Sequence, residues 1–249
     1  MNYIERYHFF ELSLKGTEEG NPYKDVKLTA TFSEGDERVK VNGFYCGNGT
    51  YKVRFMPRKQ GHWSGITASS DSALDGIKCE FECTAASENN HGRVLPMDQV
   101  YKQTVSAKEN RFHFAYEDGT RYQPFGTTCY AWINQEEMIQ EETIETLKNE
   151  AFNKIRMCIF PKYYTYNTTD PQLYPFEGNR EEGFDYSRFN PRFWDMLEKR
   201  IAQLDELGIE ADIILLHPYD NWGFSKMDFE TDCFYLGYAV DRLSHFKNV

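Results

Sequence analysis

No segment of the chain approaches the roughly 18 consecutive apolar residues of a membrane-spanning helix, and the opening Met1-Asn2-Tyr3-Ile4-Glu5-Arg6 lacks the basic stretch and apolar run of a secretory signal. These absences predict a cytoplasmic protein with no membrane partner. Basic charge is also scarce: 28 Lys and Arg stand against 39 Asp and Glu, a formal net charge of -11. No nucleic-acid partner is expected, because such a partner demands a basic face to replace counterions. The 6 cysteines form no Cys-x-x-Cys spacing, and the near pair Cys79 and Cys83 falls in an alternating strand pattern. Four residues of strand span roughly 13 Å, too far for a disulfide. The thiols are read as reduced and mostly buried, acting as small apolar side chains. No glycine-rich phosphate loop, zinc-ligand spacing or Ser/His/Asp order occurs, so neither a cofactor nor a metal is expected.

What the chain has in surplus is aromatic surface, with 17 Tyr, 19 Phe and 4 Trp in 249 residues. Such rings serve cores, and they also serve as flat platforms for sugars. From Tyr7 to about Ala85 the apolar residues recur with period two: Val26, Leu28, Ala30, Phe32; Val39, Val41; Tyr51, Val53, Phe55; Ile77, Cys79, Phe81, Cys83, Ala85. Polar residues alternate with them, which predicts strands with one buried and one wet face. Further strands are expected over His8 to Leu14 and Trp63 to Ser69, with turns at Gly20-Asn21-Pro22, Gly47-Asn48-Gly49 and Asp75-Gly76. About six short strands so punctuated suggest an Ig-like β-sandwich over residues 1–90. The polar stretch Ser87-Glu88-Asn89-Asn90-His91-Gly92 ends that pattern, and 91–110 is read as a linker.

Past residue 110 the period changes, and apolar strand-like runs alternate with amphipathic helices. Asn190 is a candidate N-cap and Pro191 a first helical residue; Trp194, Leu197, Ile201 and Leu204 follow at helical spacing, and Gly208 ends the helix. Ile209 to Leu216 then reads as a strand. A helix over about Glu136 to Glu150 precedes a strand over Ile155 to Phe160, another strand is expected near Tyr122 to Gly126, and a last helix spans about Thr231 to Phe246. Residues 111–249 are thus expected to form about three β/α units, the first part of a (β/α)8 TIM barrel, which when closed takes roughly 250 residues. The fold class expected is α/β with an all-β module.

In parallel α/β folds ligands meet the carboxyl ends of the strands. The segments there are Gly126 to Trp132, Phe160 to Asn167 and His217 to Phe224, each combining aromatic rings with hydrogen-bonding groups. Gly43-Phe44-Tyr45, Tyr51 to Pro57, Asn90-His91-Gly92, Pro124 to Trp132, Phe152 to Met157 and His217-Pro218-Tyr219-Asp220 together resemble the apiosidase-like family of bacterial candidate glycoside hydrolases. The resemblance covers nearly the whole chain. It implies an Ig-like module joined to a (β/α)8 barrel, a retaining glycosidase acting on plant or bacterial carbohydrate, and an acid/base glutamate after strand four with a nucleophile after strand seven. On that reading the chain, which reaches Asn248-Val249 at the entry to strand four, contains neither carboxylate, and the catalytic residues are unassigned. A non-catalytic carbohydrate-binding protein derived from a hydrolase is the alternative, and a small flavodoxin-like ligand-binding domain a third reading.

The resemblance transfers a supporting shell. Arg156 matches the arginine that hydrogen-bonds the nucleophile in that clan, keeping it ionised for attack, and His217 matches a substrate-side histidine. Thr128, Trp132, Lys162, Tyr163, Tyr219, Asp220 and Trp222 complete the expected substrate-binding or supporting set. Seven of them have a plainer reading: Arg156 an ion pair, His217 a loop histidine with a satisfied ring, Trp132 a core wedge under the first helix, Asp220 and Trp222 a turn, Lys162 and Tyr163 a solvated loop. The expected partner is an oligosaccharide or glycoside. The unpaired strand edge of an incomplete barrel also predicts an oligomer.

Overall fold

A computed structural model describes residues 2–101, 112–168 and 170–249. The chain divides into two compact units, Met1–Gln123 with Asp241–Lys247, and Pro124–Val240 with Asn248–Val249. Of the segment 91–110 expected as a linker, residues 102–110 lie outside the described residues.

In the first unit the strands are β1 (Asn2–Glu5), β2 (Phe10–Lys15), β3 (Leu28–Glu34), β4 (Glu37–Tyr45), β5 (Thr50–Phe55), β6 (Gly61–Ser69) and β7 (Lys78–Thr84), with one turn of helix, α1 (Pro22–Asp25), after β2. They form one seven-stranded sheet in the order β1-β7-β6-β3-β4-β5-β2, with β1 parallel to β7 and the other pairs antiparallel. This corrects the expected two-layered Ig-like sandwich. The nine-residue β4 is the reason: it pairs with β3 through Glu37 to Asn42 and with β5 through Gly43 to Tyr45, carrying the hydrogen-bond ladder around a bend. The result is a mixed, nearly closed, barrel-like sheet. Period two had reported which side of each strand is buried, and that alternation is the same in a sandwich and in a curled sheet.

Inside the curl lie Leu28, Ala30 and Phe32 of β3, Tyr51, Val53 and Phe55 of β5, Trp63 of β6, and Phe81 and Cys83 of β7, all buried. Phe32 stacks on Phe55 at 4.5 Å and Phe10 on Phe81 at 4.7 Å between ring centroids. Each such ring contributes about 1.5–3 kcal/mol by leaving water. A smaller antiparallel sheet follows, β8 (Val94–Pro96), β9 (Phe114–Tyr116) and β10 (Arg121–Tyr122), with the helical turn α2 (Met97–Val100) after β8.

The second unit holds three parallel strands, β11 (Gly126–Thr128), β12 (Lys154–Cys158) and β15 (Glu210–Ile214), in the order β11-β12-β15. Helix α3 (Glu137–Lys148) lies between β11 and β12 in the chain, α4 (Pro191–Glu206) precedes β15, and α5 (Phe229–Leu243) follows it. Between β12 and α4 the chain makes an antiparallel pair, β13 (Phe176–Asn179) and β14 (Gly183–Phe189), which forms its own two-stranded sheet. An open three-stranded sheet and a separate hairpin do not make a TIM barrel of β/α units, and that expectation is overturned. Alternating strands and helices in the sequence specify crossovers; they do not specify closure.

Local signals explain the helices well. Asn190 accepts a hydrogen bond from the Arg192 amide at 3.2 Å, Pro191 opens α4, and Gly208 ends its connection at φ +69°. Phe193, Trp194, Leu197, Ile201 and Leu204 form the buried face of α4. Trp194 also donates to the Pro175 carbonyl at 3.0 Å, and Phe189 stacks on Tyr238 of α5 at 3.8 Å. Arg200, 1% exposed, joins α4 to α3: its Nε donates to Gln140 Oε1 at 2.8 Å and its Nη1 to Glu141 Oε1 at 2.6 Å. Hydrogen bonds from Arg200 and then Lys199 pull the Glu141 carboxyl down to about 2.

Candidate functional site

Register places the site's polar row. Thr128 pairs with Arg156, and Arg156 pairs with Asp212, so one residue from each parallel strand points to the same side. The adjoining Ile155, Met157 and Ala211 point the other way and are buried. On the polar side Arg156 Nη2 lies 2.8 Å and Lys154 Nζ 2.7 Å from Asp212 Oδ2, and Arg156 Nε donates to the same oxygen at 2.9 Å. Burial pushes the Asp212 carboxyl up, but the hydrogen bonds from Lys154 and Arg156 outweigh it and leave the group below its ordinary value. Two cations share the Asp212 carboxylate, and Glu210, paired in register with Lys154, lies on the same side, so the row holds two acids and two bases.

Beyond β12 the chain places Lys162 among three tyrosines. Its ammonium lies 3.5 Å from the Tyr130 ring centroid, 4.8 Å from Tyr219 and 5.7 Å from Tyr164. Such contacts are attractive because the ring faces carry negative charge. The Tyr163 amide donates to the Tyr219 carbonyl at 3.2 Å, tying the loop after β12 to the loop after β15. His217 Nε2 lies 3.1 Å from the Phe160 carbonyl, and its ring sits 6.5 Å from that of Tyr219. Tyr163 and Tyr219 are exposed. Thr128 and Arg156 in the row, and Lys162, Tyr163, His217 and Tyr219 at the strand ends, thus lie on neighbouring positions of one small sheet.

Three expected residues are used otherwise. Trp132 is buried and donates from Nε1 to the Gln140 carbonyl at 3.1 Å, the core wedge against α3. Asp220 organises its own loop, accepting from the amides of Trp222 at 2.6 Å and Ser225 at 2.7 Å. Trp222 is buried, and its Nε1 donates to Asp170 Oδ1 at 2.7 Å. Asp212 was not singled out from the sequence, although its place in Glu210-Ala211-Asp212, an acid on the wet side of an alternating strand, was available as a signal. A separate cavity of about 320 Å³ opens beside Asn134, Gln135, Leu173, Arg192 and Met196, and none of the nine expected residues lines it. Among the described residues no helix is long and apolar enough to cross a membrane, and no cluster of His, Cys, Asp or Glu could hold a metal ion.

Residues 3–70, most of the curled sheet, match the family model of a domain of unknown function, DUF5060. No curated protein matches the chain in sequence. Among solved structures the chain is similar to a candidate glycoside hydrolase from Bacteroides vulgatus ATCC 8482, at 44% identity and a TM-score of 0.91, over 100% of this chain and 48% of that one. The chain therefore spans about half the length of that relative. A protein described as a glycoside hydrolase overlaps it at 16% identity, TM-score 0.38, over 55% of this chain and 30% of that one. A family 39 glycoside hydrolase from Bacteroides cellulosilyticus WH2 does so at 10% identity, TM-score 0.27, over 96% and 39%. Both lie below the structural similarity that supports an argument; the likeness to the Bacteroides vulgatus protein supports a glycoside-hydrolase-like chain.

Proposed function

We propose that this chain is part of a glycoside hydrolase of the apiosidase-like kind, and that the ends of β11, β12 and β15 contribute to holding its carbohydrate substrate. The observation that carries the reading is Lys162, set among Tyr130, Tyr164 and Tyr219, beside exposed Tyr163 and the Arg156–Asp212 pair. Tyrosine rings cover the apolar faces of a pyranose or furanose, while an ammonium whose place is fixed by ring faces offers its N–H groups to hydroxyls. The 44% identity to a candidate glycoside hydrolase over the whole chain supports the reaction class. Thr128 adds a hydroxyl on the same row, and His217, oriented by the Phe160 carbonyl, adds a ring nitrogen.

Saturation-transfer NMR with a panel of glycosides, apiosides among them, tests this. Tyr219→Ala and Lys162→Ala should each weaken the best ligand about tenfold, the loss of about 1.4 kcal/mol of stacking or charged hydrogen bonding. Unchanged affinity in both variants, with the fold intact by circular dichroism, would remove the strand-end cluster as the sugar site.

A further inference from the structure

The curled sheet of the first unit carries a second cavity, of about 320 Å³, bounded by Glu37, Arg54, Arg58, Arg93, Ser244 and His245. Val39, Val41, Phe55 and Met56 complete its lining, but the charged and ring-nitrogen groups set it apart from a packing defect, which would be apolar throughout. His245 is 3% exposed, packed against the rings of Phe9 and Phe246 at 4.1 Å from each, and neither of its ring nitrogens has a hydrogen-bond partner. Arg93 gives Nη2 to the Ser244 carbonyl, but its buried Nε is likewise without a partner. Buried donors of this kind are almost always satisfied, and where they are not, a missing water or ion is the usual reason.

Charge decides which. Arg54 and Lys52 share Glu11, at 2.7 and 2.8 Å, and Arg58, 2.9 Å from Glu117, shares the field of that carboxylate with Arg93. Among the residues bounding the cavity three arginines face one acid, the exposed Glu37, and Arg242 and Lys52 add to the positive field at His245. Burial first, and the neighbouring Arg58 next, push the Arg93 guanidinium down against the opposing pull of Glu117. A neutral molecule would satisfy the two donors but leave the charge unmet; an anion does both.

We propose that this cavity binds a small oxyanion, a carboxylate or sulfate group, which accepts hydrogen bonds from Arg93 Nε and an N–H of His245 and is attracted by Arg58. Donors without partners on two residues and a surplus cation converge on a space large enough for a sugar acid. The anion could be free or carried on a glycan, as the carboxylate of a hexuronate is. This inference concerns the first unit alone and does not depend on the sugar site of the second.

Titration calorimetry of the 249-residue chain at low ionic strength, with sodium sulfate, sodium acetate, sodium glucuronate and, as a neutral match, glucose, distinguishes the sources. The oxyanions should bind with dissociation constants on the order of 1 mM, and glucose should not bind. Arg93→Gln and Arg58→Gln should each weaken binding about tenfold. The His245 ring signals in ¹⁵N NMR should move on saturation. Glucuronate binding more tightly than acetate assigns a sugar acid, and equal binding assigns the anionic group alone. Arg58 is half-exposed, so its variant keeps the test valid if Arg93→Gln fails to fold. No anion binding by the native chain, or binding unchanged in the Arg58 variant, overturns the proposal.

Discussion

His245 should make the first unit sensitive to mild acid. Burial, reinforced by the positive field of Arg54, Arg93, Arg242 and Lys52, pushes its imidazole down to about 2. In the unfolded chain the same ring titrates near its ordinary value of about 6.5. The unfolded state therefore binds a proton that the folded state refuses, so stability is full above about pH 6.5 and is lost as pH falls below it. The slope reaches about 1.4 kcal/mol per pH unit, and between pH 7.5 and 5 the loss amounts to about 2 kcal/mol. Glu5, Glu11 and Asp118, whose carboxyls lie below their ordinary values, act in the same sense further into acid, while Asp241, raised by burial, acts in the opposite sense. All of these are retained in His245→Gln, so the difference between the two proteins isolates the imidazole. The assay is urea unfolding at several pH values in chloride buffers, followed by the ¹⁹F signal of 5-fluorotryptophan at Trp63, which is buried in the sheet core. A native-chain stability flat between pH 7.5 and 5, or a slope that survives in His245→Gln, would refute the reasoning.

Two stability predictions follow from the second unit. Asn134 is 6% exposed and neither atom of its carboxamide has a partner; Asn134→Leu should therefore stabilise the unit by about 1 kcal/mol in urea unfolding read by tryptophan fluorescence, and a loss of similar size would reveal a partner that the fold conceals. At Gly178 the backbone has φ +106° and an added Cβ would sit 2.2 Å from the Gly183 carbonyl oxygen. Gly178→Ala should cost about 2 kcal/mol or more and loosen the β13–β14 pair, seen as faster amide exchange at Phe184 and Asp185; unchanged exchange would count against it.

The legible parts of the sequence were those fixed by short-range physics. Leu28, Ala30 and Phe32 announced a strand with one buried side, and Asn190, Pro191 and Gly208 marked the ends of α4, because alternation and capping are settled within a few residues. The aromatic loops after β12 and β15 were visible for the same reason. Composition left other placements open between two readings. Trp132 read as substrate residue or core wedge, and a short helical turn over Trp132–Asn134 folds its indole onto α3. Asp220 read as sugar ligand or turn residue, and it accepts from the amides of its own loop.

Only the tertiary structure decided which strands are neighbours, and much of the chemistry follows from that. Arg156 and Asp212 are 56 residues apart and meet because two parallel strands run in register. The bend of β4 turned the expected sandwich into a curled sheet through pairings with both β3 and β5. The environment of His245 depends on Arg54 and Arg93, brought from far along the chain, as well as on Arg242 three residues before it. Periodicity records the side on which a residue leaves water, a local preference repeated along one strand or helix. Strand order, ion pairing and the field at a buried ring are sums over groups far apart in the chain, and they exist only once the chain has folded.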